Sequence, residues 1–138
     1  MSPRRKTELL FPVQEARLPN GLRVRMVPDH DAPVVSLYTF FQVGSRNERP
    51  GITGISHLFE HMMFNGAAKY GPKQFDEVLE SNGGRSNAYT THDVTVYYED
   101  FAAEALDTVL DLESDRMRLS SEPGSKSPAT QSVALFGA

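Results

Sequence analysis

Gly54-Ile55-Ser56-His57-Leu58-Phe59-Glu60-His61-Met62-Met63-Phe64-Asn65-Gly66 carries two histidines four residues apart, with a glutamate directly before the second. The stretch predicts a helix from about Thr53 to Phe64, with Gly66 just past its end as a C-cap. Residues four apart lie one above the other on a helix face, and Glu60 falls within about 100° of both imidazoles. Ile55, Leu58, Phe59, Met62 and Met63 fall on the opposite side. The expectation is that this apolar stripe enters a core while His57, Glu60 and His61 look into a cleft.

That chemistry suits divalent zinc. Imidazoles one turn apart can both reach a tetrahedral metal, and a catalytic site keeps one position open for water. A carboxylate beside them can take a proton from that water. The order here is H-x-x-E-H. The bare pentapeptide also fits a surface or core-edge helix with two incidental histidines. The flanking sequence decides between the two.

The chain of 138 residues suits one modest domain with a real core. Its charged fraction of 23% and hydrophobic fraction of 39% are those of a soluble globular protein. A net charge of -4 gives no reason to expect nucleic acid as a partner. With no cysteine, a metal must be held by His, Asp or Glu. Met1-Ser2-Pro3-Arg4-Arg5-Lys6 is basic, but the apolar run Leu9-Leu10-Phe11 stops at Pro12, so no signal-peptide core follows. No apolar run approaches the ~18 residues that span a membrane. Read as it stands, the sequence places the protein in the cytoplasm, with no membrane partner.

Outward from the helix, residues 1–13 are expected to be disordered. Glu15 to Val27 reads as a hairpin with Asn20-Gly21 as a two-residue turn, because both residues tolerate positive φ. Val34 to Val43 is the strongest strand and is expected in the sheet interior. A second helix is expected over Pro72–Ser81, and an antiparallel pair over Arg85–Thr90 and Val94–Tyr98. His30 and His92 fall in loops and read as surface histidines. A third helix is expected over Ala102–Leu119. Residues 120–138 are Ser/Pro/Gly-rich at first, and Val133-Ala134-Leu135-Phe136 is too short for a partnered element, so this tail is expected to be disordered. The order of elements predicts an α+β fold, with a mainly antiparallel sheet and helices packed on one face.

Several segments around the motif resemble the pitrilysin-type zinc metallopeptidases, the family of insulin-degrading enzyme and the mitochondrial processing peptidases. They are Leu18-Pro19-Asn20-Gly21-Leu22, Val43-Gly44-Ser45-Arg46-Asn47-Glu48, the helix from Gly54 to Gly66, Glu80-Ser81-Asn82-Gly83-Gly84, Ser86-Asn87-Ala88-Tyr89-Thr90, Tyr97-Tyr98, and Leu112-Glu113-Ser114-Asp115-Arg116-Met117. The likeness covers residues 14–119, the N-terminal part of such a domain. It implies that His57 and His61 are zinc ligands and that Glu60 is the general base. It also implies that Asn87, Ala88 and Tyr89 form an edge strand pairing with an extended peptide or protein substrate. An ordinary strand remains the plain alternative for those three.

One departure matters. The family takes a third zinc ligand from a glutamate roughly 76 residues beyond the second histidine, which here falls on Gly137 or Ala138, and neither can ligate. Family members also have a second, related domain. Two functions therefore compete: a truncated zinc endopeptidase, and a non-catalytic fragment of the same fold that binds zinc weakly or a partner along its strand edge.

Overall fold

Val35, Leu37 and Thr39 alternate with Ser36, Tyr38 and Phe40, and this period of two gives a strand with one fully buried face. The structure, a computed structural model, describes residues 12–119 and 131–137. Its sheet has six strands: β1 (Gln14–Arg17), β2 (Arg23–Val27), β3 (Val34–Phe41), β4 (Arg85–Thr90), β5 (Thr95–Ala102) and β6 (Gln131–Gly137). The order across the sheet is β1-β2-β6-β3-β5-β4, which puts β3 in the interior as expected and β4 on an outer edge. Every pairing is antiparallel except that of β2 with β6.

Three helices complete the α+β fold: α1 (Ile55–Met62), α2 (Gln74–Ser81) and α3 (Leu106–Leu119). Val35 and Leu37 of β3 and Phe101 of β5 pack against Phe75 and Leu79 of α2 and against Val109 and Leu112 of α3. Fully burying a side chain of this kind contributes about 1.5–3 kcal/mol, so this cluster is the main source of stability. On the opposite face of the sheet Tyr38 stacks on Tyr98 and meets Phe136 edge-on.

The structure corrects three expectations. First, residues 131–137 are not disordered: they form β6, the strand between β2 and β3. Four apolar residues suffice because both flanks supply a hydrogen-bonding ladder, parallel to β2 and antiparallel to β3. Leu135 packs against the core. Residues 1–11, 120–130 and 138 lie outside the described residues.

Second, the first hairpin turns through three residues rather than two. Gly21 N–H donates to Leu18 O at 2.9 Å, and Leu18 N–H donates to Leu22 O at 2.9 Å. Pro19 presets the turn, and the left-handed conformation falls on Gly21 alone, at φ 91°.

Third, most of the apolar stripe of α1 stays outside the core. The line that faces inward is Ser56, Glu60 and the half-buried Met63, whereas Leu58, Phe59 and Met62 are 57%, 56% and 49% exposed. Inward residues four and then three apart trace a helix face as faithfully as the stripe does. The sequence shows two candidate faces, and the sheet has selected the polar one.

Candidate metal centre

Helix α1 is held at both ends. At its start, Gly54 is left-handed and makes no side-chain cap. Glu48 caps the helix in its place, its carboxylate accepting from Gly54 N–H at 2.8 Å and from Ser56 N–H at 2.9 Å. The Ser56 amide and then the Gly54 amide hold the Glu48 carboxyl below its usual range. Glu48 is presented by a 3-10 turn at Ser45–Asn47, whose Ser45 and Arg46 N–H groups donate to the carbonyls of Thr91 and His92 at 3.1 and 2.9 Å. Gly44 makes that approach possible, since a Cβ there would lie 2.3 Å from Thr91 O.

Beyond the end of α1, Phe64 sits edge-on to Phe75 and tilted against Tyr97, with ring centroids 6.5 and 5.9 Å apart. The Arg116 guanidinium lies over Tyr97 at 4.4 Å, Phe75 at 4.6 Å and Phe64 at 5.7 Å. It is paired with Glu99 at 2.6 Å and with Glu113. Asp115 fixes the following loop by accepting from Lys69 and Tyr70 N–H at 2.8 and 3.0 Å.

Between these anchors His57 and His61 project together from α1, exposed, with Nε2 atoms 3.0 Å apart. Two nitrogens on a tetrahedral zinc at 2.0–2.1 Å lie about 3.3 Å apart, so a small adjustment of the rings would admit the metal. Without metal, one imidazole donates to the other. The pair thus fits zinc in donor type and in spacing. No group of three or more His, Cys, Asp or Glu suited to a metal occurs among the described residues.

Glu60 sits one turn inward and is 7% exposed. Its Oε2 accepts from Thr90 Oγ1. Glu60 and His57 line a shallow cleft together with Ala88, Tyr89 and Thr90 of β4 and with His92. Of the expected peptide-pairing residues, Ala88 and Tyr89 border the cleft, while Asn87 lies one residue away on the same outer strand. Asn87 Oδ1 accepts from Ala88 N–H at 2.8 Å.

Sequence reasoning missed Thr90, Glu48 and His92 as parts of this site. His92 reaches the cleft only because the 3-10 turn docks on the β4–β5 connection, a contact across 46 residues that no local pattern announces. No described helix is long and apolar enough to cross a membrane.

Comparison with known proteins addresses the family and the fold. The insulinase family (peptidase family M16) matches residues 23–121. A zinc protease of Helicobacter pylori is 35% identical over 105 residues, which are 75% of this chain and 24% of that protein. Human insulin-degrading enzyme is 38% identical over 96 residues, 68% of this chain and 9% of that enzyme. The chain thus spans about a quarter, or less, of these relatives. Among solved structures, a Helicobacter pylori protease superimposes with a TM-score of 0.83 at 22% identity over 94% of this chain and 47% of that one. Pitrilysin superimposes with a TM-score of 0.72 at 29% identity over 80% of this chain and 12% of that one. The first superposition extends past the segment matched by the family, so the shared fold includes more than residues 23–121. Because the family match spans more than half of the sequence, the chain belongs to the insulinase (M16) family of peptidases.

Proposed function

We propose that the chain supplies the histidine pair, the base and the peptide-binding edge of a zinc metalloendopeptidase site, and that on its own it holds the metal weakly and cleaves nothing. The observation that carries this reading is the 3.0 Å pairing of His57 and His61 beside Glu60, with no third ligand among the described residues. Zinc, when bound, supplies positive charge that acidifies water and polarises a carbonyl.

The rest falls to this chain's own residues. His57 and His61 are the residues that would hold the metal. Glu60 would take the proton of the attacking water at the carboxylate oxygen that Thr90 does not hold, and return it to the leaving amine. The free edge of β4 at Asn87, Ala88 and Tyr89 takes an extended peptide by main-chain hydrogen bonds, laying it along the cleft. A third ligand has to come from outside the described residues. The uncovered stripe of Leu58, Phe59 and Met62 supports a covering segment, from a second metallopeptidase-like domain or subunit.

Incubating the chain with zinc and a mixture of extended peptides, beside Glu60→Gln, tests this. No zinc-dependent cleavage above the Glu60→Gln level is expected. Zinc-dependent cleavage that Glu60→Gln abolishes would show the site to be complete and the reading wrong.

A further inference from the structure

A general base needs its place as well as its carboxylate. It has to stand within hydrogen-bond reach of the proton that it takes, and a glutamate carboxylate on an unrestrained side chain samples many positions. In this structure one contact restricts Glu60. Thr90 Oγ1 donates to Glu60 Oε2, and no hydrogen bond among the described residues reaches Oε1.

The direction of that bond follows from counting protons. Thr95 stands opposite Thr90 in the β4–β5 register, and the two hydroxyl oxygens are 3.2 Å apart. Thr95 Oγ1 also lies 2.9 Å from Val43 O. A carbonyl can only accept, so the single Thr95 proton is committed to Val43. Thr95 then has nothing to donate to Thr90. The Thr90 proton has two acceptors in reach, a neutral hydroxyl and a carboxylate, and the charged acceptor binds it more strongly. The Thr90 hydroxyl is therefore aimed at Glu60 from a fixed platform whose far end is anchored on the backbone of Val43.

Resting on the reading of Glu60 as base, we propose that Thr90 is its positioning residue. The Thr90 hydroxyl, carried at the end of edge strand β4, holds one oxygen of the Glu60 carboxylate and leaves the other facing the cleft. Thr90 directly follows Asn87-Ala88-Tyr89 on the same strand. A peptide pairing with that edge and the base that serves it are then registered by a single strand, so a shift of β4 moves both together.

Solution NMR on the full chain tests this without requiring zinc or turnover. The side-chain Hβ–Hγ couplings of Glu60, assigned by their loss in Glu60→Asp, report whether the side chain keeps one rotamer. The wild type and Thr90→Ser are expected to show single-rotamer couplings, and Thr90→Val is expected to collapse them to averaged values. In the wild type, the Thr90 hydroxyl proton is expected to correlate through the hydrogen bond with Glu60 Cδ, a measurement that stands even where Thr90→Val does not fold. Single-rotamer couplings persisting in a folded Thr90→Val, or a Thr90 hydroxyl proton that shows no correlation with Glu60 Cδ, would overturn the inference. A parallel titration with zinc alone separates the two claims. No zinc binding with Glu60 held by Thr90 defeats the peptidase reading only, while zinc binding with Glu60 free defeats the positioning role only.

Discussion

Arg116 shows what single residues do under this site. Its side chain is 2% exposed, and its charge is met by Glu99 and Glu113 on one side and by aromatic faces on the other. Glu113 also accepts from Thr39 Oγ1 at 2.9 Å, so the second carboxylate is tied to β3. Two carboxylates share one guanidinium, and the balance falls on Glu99. Burial first, and then the nearby Glu113, push the Glu99 carboxyl up to about 8, against the opposing pull of Arg116. Because the folded chain binds this proton more tightly than the unfolded chain does, the contribution of Glu99 is fully present below the unfolded value of 4.5 and is lost as pH rises through about 8. Thermal midpoints measured from pH 5 to pH 8 should therefore fall with rising pH in the wild type and fall less in Glu99→Gln, in which Glu113 still pairs Arg116. Identical slopes would show that Glu99 does not carry the dependence. Only the Glu113–Arg116 pair, three residues apart on α3, is legible from local pattern. Arg116 and Glu99 are 17 residues apart on different elements, and they meet only because α3 crosses β5.

At the scale of elements, legibility follows the range of the forces. The i, i+4 histidines, the alternation of β3 and the β4–β5 pair are local patterns, and each appears where its period puts it. The rotation of α1 about its axis and the partnering of β6 depend on neighbours distant in sequence, and local pattern misses both. The β6 strand gives the sharpest test. It pairs with β2 on one side and β3 on the other, so removing it leaves two interior strand edges unpaired. Deleting residues 120–138 should lower the thermal midpoint by about 10 °C or more, as the loss of several kcal/mol implies for a domain of this size. Leu135→Ala should move it in the same direction by less, since Leu135 is only partly buried. A midpoint unchanged by the deletion would return this segment to the status of a loose tail.

Across the whole molecule, the parts of the site arrive from four directions. Helix α1 brings His57, Glu60 and His61; β4 brings Thr90 and the open edge; the 3-10 turn brings Glu48; and the β4–β5 connection brings His92. The family resemblance correctly identifies the fold, whereas the composition of the site beyond the motif needs coordinates. What the described residues lack is a third ligand, and that gap separates a metal centre from a metal-binding fragment. Zinc held by two imidazoles alone keeps at least two positions for solvent and loses much of the geometric constraint that makes such sites tight. Calorimetric titration of the full chain with zinc, beside His61→Ala, measures this directly. Weak binding that His61→Ala abolishes is the result expected. Tight one-to-one binding by the wild type would mean that a third protein ligand is present after all, and would contradict the account.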